Sequence, residues 1–169
     1  KRETGDKRVV CYYTNWSAYR PETVRFTRKN IDPHLCTHLL YAFGKPDVDT
    51  NSIVSVDVYQ DYAKGGYREF NELKEKNPKL KTMISVGGWN EGSTRFSQIV
   101  SNSTSRAEFV NNSIAFVRSE HFDGIDLVWQ YPTFREGSSP ADKQNYADLI
   151  KVIILLNIQH RKKFKNLDH

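Results

Sequence analysis

The chain has 169 residues, 38% of them hydrophobic and 12% aromatic, enough for one soluble domain with a core of its own. Its net charge of +5 is concentrated at one end: residues 151–169 hold Lys151, Arg161, Lys162, Lys163 and Lys165 against Asp168 alone, leaving residues 1–150 nearly neutral. A nucleic-acid surface needs a basic stripe on the folded face, interleaved with base-stacking aromatics. A cluster confined to a helix end fits a solvated terminus better, so no nucleic-acid partner is expected. No apolar run approaches the ~18 residues of a membrane span. The opening Lys1-Arg2-Glu3, without methionine or an apolar stretch, leads us to expect that any signal peptide is already removed.

In chain order, strand-like runs are expected at about residues 8–14, 37–43, 81–87 and 122–128, separated by segments of helical character. Residues 44 to 66, with Gly44, Pro46, Gly65 and Gly66, read as a long irregular excursion. Tyr67 to Leu73 puts Phe70 and Leu73 on one helical face, and Asn77-Pro78 ends it. Phe109, Ile114, Phe116 and Val117 suit an amphipathic helix before the fourth strand. Ser139-Pro140-Ala141-Asp142 supplies an N-cap, a proline at the first helical position and an acidic first turn. The helix after it is expected to carry Tyr146, Leu149, Ile150 and Ile153 inward. Alternating strands and helices imply parallel βα units, in an open doubly wound sheet or a closed barrel. A dinucleotide turn is missing, because Val86-Gly87-Gly88-Trp89 puts an indole where a phosphate loop needs close backbone approach.

Cys11 and Cys36 stand 25 residues apart at the starts of the first two strands. An even count at such sites suggests a disulfide, with two buried thiols as the alternative. A metal is not expected, since neither cysteine has a partner at ligand spacing, and no cofactor is expected either. Asn-x-Ser/Thr sequons occur at Asn15, Asn102 and Asn111. Asn102 sits in a polar run, whereas a glycan at Asn15 would collide with packing beside Trp16.

The segment from Phe122 to Pro132 carries the functional signal. In a strand, Asp126, Val128 and Gln130 project to one side and Ile125, Leu127 and Trp129 to the other, where Trp129 is expected to pack against helices. This stretch resembles the active-site signature of family 18 chitinases, Asp-Gly-x-Asp-x-Asp-Trp-Glu-Tyr-Pro. Asp123, Gly124, Asp126, Trp129, Tyr131 and Pro132 match it, while Val128 replaces the third aspartate and Gln130 the catalytic glutamate. Val9 to Trp16, Leu35 to Phe43 and Lys81 to Asn90 are similar to the family's first three strands, in the family's order.

The resemblance implies the α/β class, as the first four βα units of a (β/α)8 TIM barrel. Such a barrel needs about 250 residues, so an incomplete half-barrel is expected. It comprises residues 1–152, followed by a divergent basic tail, 153–169, that continues the fourth helix. Strands one and four would then be exposed edges, a route to self-association. The resemblance also implies a disulfide between Cys11 and Cys36, and secretion.

In the family the glutamate at position 130 protonates the glycosidic oxygen while the substrate's own acetamido oxygen attacks, a substrate-assisted route. The aspartate at 128 orients that acetamido group. Gln130 has no titratable proton to deliver and Val128 no acceptor, whereas Asp126 and Asp123 are kept. By position, Tyr12, Trp16, Phe43, Gly88, Trp89, Asn90 and Tyr131 match sugar-contacting residues. The expected function is therefore a secreted, catalytically inactive chitinase-like protein, at best a weak lectin for chitin or N-acetylglucosamine oligosaccharides. The alternatives are an active-site-altered form or fragment of a chitinase, and a structural or signalling fragment acting through its edges.

Overall fold

The computed structural model describes residues 7–165, with side chains through Ile154; the basic cluster from Arg161 onward and Asp168 lie outside the described side chains. Among the described residues five strands form, β1 (Val10–Thr14), β2 (His38–Asp47), β3 (Ser52–Ser55), β4 (Lys81–Gly87) and β5 (Gly124–Val128). The helices are α1 (Gly66–Asn71), α2 (Leu73–Lys76), α3 (Thr94–Val100), α4 (Ser103–Ser119) and α5 (Asp142–Lys165). The sheet runs β1-β2-β4-β5, with β3 paired to β2 off that path. β1 and β2 are parallel, Val10 opposite His38, and so are β2 and β4, with an irregularity between Ala42 and Gly44. This is the α/β arrangement of the first part of a barrel, with β1 and β5 at the ends of the strand order. No helix among the described residues is long and apolar enough to cross a membrane.

The chain divides into two compact units. The first takes the residues up to Lys45, Ser55–Val86 and Val117–Val128; the second takes Pro46–Val54, Gly87–Phe116 and the residues from Trp129 on.

In the first unit, one face of the sheet is sealed by aromatics. Tyr41 lies 5.4 Å from Tyr13 and meets Phe70 edge-on at 5.1 Å and Tyr67 at 5.0 Å. Tyr41 and Phe70 are wholly buried, so α1 docks through the face its spacing predicted. Rings offset in this way gain about 0.5–1.5 kcal/mol per pair beyond the area they bury. The Tyr41 hydroxyl enters this core because it can donate to Asp61, at 2.6 Å. Asp61 is itself buried and also accepts from Asn15 (3.2 Å) and Ser55 (2.5 Å). Cys11 and Cys36 are disulfide-bonded, with Cα atoms 6.2 Å apart, tying the start of β1 to the approach to β2.

The second unit is built from α3, α4, α5 and a tight turn. Trp129 stacks on Phe96 at 5.2 Å, meets Tyr146 edge-on at 5.5 Å and donates its indole N–H to Ser93 at 2.8 Å. Its packing role against helices is thus as expected from strand parity. At the start of α5, Asp142 is fully buried, accepting from the Ser139 backbone at 2.7 Å and the Ser97 hydroxyl at 2.9 Å. The Ser139 hydroxyl in turn accepts from the Ala141 N–H. This is a reciprocal cap around the expected Ser-Pro-Ala-Asp start, drawn inward by Ser97. Leu149 is buried, and Tyr146, Ile150 and Ile153 are half-buried.

The expectation for residues 44–66 is overturned. β2 continues through Gly44 and Pro46 to Asp47, and β3 and a π turn, Tyr59–Ala63, follow. The reversal is specified by Asp47, whose carboxylate accepts from the Thr50 backbone at 3.0 Å and its hydroxyl at 2.6 Å. Asn51 then takes the left-handed conformation at φ 44°, which asparagine tolerates. Ser105 donates to the Asn51 side chain, which in turn donates to Glu108, pinning the turn on α4. Gly44 and Pro46 lie within β2, and Gly65 and Gly66 open α1. α3 is also unanticipated; Phe96, Ile99 and Val100, all buried, carried its helical spacing.

Candidate functional site

β5 presents Asp126 on one face of the first unit's sheet. Its Oδ2 accepts the Tyr12 phenol at 2.8 Å and the Ser85 hydroxyl at 2.7 Å. Tyr12 is on β1 and Ser85 on β4, so three strands converge on one carboxylate. In a flat sheet β1 and β5 would lie about 14 Å apart, three spacings of about 4.8 Å. A tyrosine and an aspartate standing off such a sheet could not meet, so the bond requires both on one face and curvature toward it. Desolvation of the phenol, followed by its hydrogen bond to Asp126 and that carboxylate's charge, pushes the Tyr12 pKa up to about 12.

Ser85 is the contributor that sequence reading missed. It is wholly buried, and its only signal was a hydroxyl set between the apolar Ile84 and Val86. Val128, two residues past Asp126, closes β5 with an aliphatic side chain. Gln130 follows β5 and is half-buried, with a cis peptide joining it to Tyr131. Position 126 therefore offers an anchored carboxylate, position 128 no acceptor and position 130 a neutral amide.

Asp123 lies before the first residue of β5, toward the other end of the strand from Gln130. Burial alone would raise its carboxyl, but the Thr82 backbone N–H at 2.9 Å and the Lys74 and Lys81 ammonium groups outweigh it and hold its pKa low. Such geometry anchors β5 to β4 and α2.

Two sugar-contact candidates meet in the first unit. Trp16, in the turn Asn15–Tyr19 after β1, stacks on Phe43 of β2 at 5.8 Å with 24° between the planes. Trp16 remains 45% exposed, so it offers an open aromatic surface, while Phe43 backs it. Asn15, next in the chain, is buried and gives its amide nitrogen to Asp61, which fixes that turn.

In the second unit, Gly88 is buried at φ 93°, a conformation glycine adopts without strain, and leads into the turn Trp89–Glu91. Trp89 is 57% exposed and Asn90 is exposed in the same turn. Arg135 lies over the Trp89 ring, its guanidinium carbon 4.3 Å from the centroid, and donates to the Trp89 carbonyl. Tyr131, half exposed, meets Phe134 edge-on at 6.3 Å, and its carbonyl accepts from Ser93. Arg135 was also missed by sequence reading, because a loop arginine gives no signal until the turn it covers is placed. Of the sequons, Asn102 and Asn111 are exposed, whereas Asn15 is not.

The comparisons agree with this geometry. "Probable chitinase 2" of Drosophila melanogaster is 46% identical over 150 residues, 86% of this chain and 31% of that protein. The chain thus spans about a third of the length of this curated relative. The crystal structure of Ostrinia furnacalis Group IV chitinase superposes with a TM-score of 0.82 at 37% identity, covering 95% of this chain and 42% of that one. Human YKL-39, described as a pseudo-chitinase with retained chitooligosaccharide binding, gives 0.79 at 38% identity, covering 92% and 40%. The model of glycosyl hydrolases family 18 matches residues 8–167. With its strand order, its β5 segment and this match in agreement, the chain belongs to glycosyl hydrolases family 18.

Proposed function

We propose that this chain is a secreted, catalytically inactive chitinase-like protein that binds chitin oligosaccharides weakly. One observation carries the reading: Asp126 is anchored by Tyr12 and Ser85, yet positions 128 and 130 after it in the chain hold valine and glutamine. General acid catalysis is worth roughly 10²–10⁴ in rate, and a side-chain amide cannot supply it. Val128 offers nothing to orient an acetamido group. The apolar faces of N-acetylglucosamine need only aromatic surface, and Trp16, Trp89 and Tyr131 stand exposed for it. A pseudo-chitinase among the similar structures supports the same division between binding and cleavage. The Cys11–Cys36 disulfide favours an oxidising, extracellular compartment, where Asn102 and Asn111 would be the glycan acceptors.

The test is a heteronuclear NMR titration with N-acetylglucosamine oligomers of increasing length, alongside an assay for released sugar. Saturable shifts at the Trp16 and Trp89 indoles without release are expected. No shift at millimolar oligomer removes the lectin part; sugar released by the unmodified chain removes the inactive part.

A second reading, an altered chitinase, is favoured by the intact Asp126 anchor. Replacing Val128→Asp together with Gln130→Glu tests it, and hydrolysis by that double variant supports it. For the proposed half-barrel of residues 1–152 with its tail, the end strands β1 and β5 would be the pairing edges, and Val10 is already 52% exposed. Light scattering after size exclusion reads this, since a strictly monomeric species rules edge pairing out.

A further inference from the structure

The Trp89 surface carries a feature the binding proposal does not use. Arg135 covers one face of the indole, while the side chain as a whole stays 57% exposed, so ring surface remains for a ligand. The contact is built, not incidental. Arg135 also donates to the Trp89 carbonyl, and two residues on, Gly137 at φ 79° seats the loop against Thr94, where any Cβ would strike the Thr94 side chain. Ser93 holds the same loop through the Tyr131 carbonyl.

Arg135, with Glu136 beside it in the chain, is also held in no ion pair among the described residues. Glu91, in the Trp89 turn, is committed to Arg95 at 2.8 Å, and among the described residues no carboxylate lies within ion-pair distance of Arg135. A guanidinium on one indole face is attracted by the ring quadrupole and puts a positive charge directly against that face.

We propose that Arg135 makes the Trp89 platform selective for N-acetylated over free-amine hexosamine units; this rests on the Trp89 sugar platform proposed above. An acetylated sugar stacked on the open face is neutral. A glucosamine unit in that place brings an ammonium within two stacking distances of the guanidinium. Like charges about 8 Å apart in water repel enough to shift affinity about two- to threefold, and more where the ring excludes solvent. Salt should erode the effect, because that separation is close to the physiological Debye length.

The experiment compares the chain with its Arg135→Ala and Arg135→Lys variants. Each is titrated by NMR with N-acetylglucosamine pentamer and with glucosamine pentamer, at a pH where the amine is protonated, in low and high salt. The expected result is that Arg135→Ala lowers the acetylated-to-amine preference about two- to threefold. Arg135→Lys should keep most of that preference, and the wild-type preference should shrink in high salt. An Arg135→Ala preference equal to wild type at low salt overturns the inference while leaving the lectin reading standing. If wild type binds neither pentamer, the platform and its selectivity fall together. The Trp89 indole resonance still reports the arginine contact in that case, since Arg135→Ala should move it without ligand.

Discussion

The Tyr12 phenol reaches Asp126 with a 2.8 Å hydrogen bond that joins the first and last strands of the order β1-β2-β4-β5. Ser85 on β4 completes the contact from between them. The carboxylate is therefore an architectural clasp whatever chemistry follows it, which explains how Asp126 can be held in place while 128 and 130 carry valine and glutamine.

Titration of Tyr12 tests the clasp. Ultraviolet absorbance should show the Tyr12 phenol ionising near pH 12, as Tyr62 also does, above the usual tyrosine value of about 10. Asp126→Asn should bring that transition down, because the amide removes the negative charge that opposes phenolate formation. The folded-state pKa is raised, so the stability it confers is complete below about pH 10 and is lost as pH climbs through about 12.

Asp123 acts in the opposite direction. Its folded-state pKa is depressed by Thr82, Lys74 and Lys81 against the effect of burial. Its stabilisation is present above the unfolded carboxyl value of about 3.9 and disappears as pH falls through the lower folded value. Denaturant melts of Asp123→Asn between pH 2 and 6 should show a shallower loss of stability on acidification than wild type.

Reduction of Cys11–Cys36 should cost on the order of 3 kcal/mol, the chain-entropy value for a loop of this length. The midpoint of guanidinium unfolding with and without reductant gives the number. A Cys11→Ala, Cys36→Ala double variant should match the reduced protein.

Asp142→Ala should destabilise the second unit by about 1–3 kcal/mol, since it leaves the Ser97 hydroxyl and the Ser139 N–H without their acceptor. Hydrogen exchange should show the loss first in the opening turn of α5. An exchange pattern unchanged there would contradict the capping role.

Trp16→Ala should weaken oligosaccharide binding by about two- to tenfold, the equivalent of losing one aromatic contact of about 0.5–1.5 kcal/mol. Isothermal titration with an N-acetylglucosamine hexamer measures it. Phe43→Leu should produce a smaller loss, because Phe43 only backs the Trp16 ring.

Local chemistry was legible where it was self-contained. Ser139 to Asp142 announced the start of α5 because a cap is made by residues a turn apart. Phe70 and Leu73 announced the buried face of α1 and its continuation because helical spacing puts them on one side. The hairpin at Asp47–Asn51 was misread because glycine and proline punctuate strand ends and loops alike. Its Asp47–Thr50 bonds are local, but the contacts that pin the turn run from Asn51 to Ser105 and Glu108 on α4, more than fifty positions away.

By itself, the order of residues determined the family resemblance, the alternation of strands and helices, the cysteine pair, and the chemistry lost at 128 and 130. Those properties depend on identity and short spacing, which the chain carries openly. The tertiary structure alone decided that Asp126 is gripped by Tyr12 and Ser85, that Asn15 spends its amide on Asp61, and that Arg135 lies on Trp89. Each of these contacts joins residues forty or more positions apart, so it exists only once sheet curvature or loop docking brings their side chains within hydrogen-bonding or stacking range.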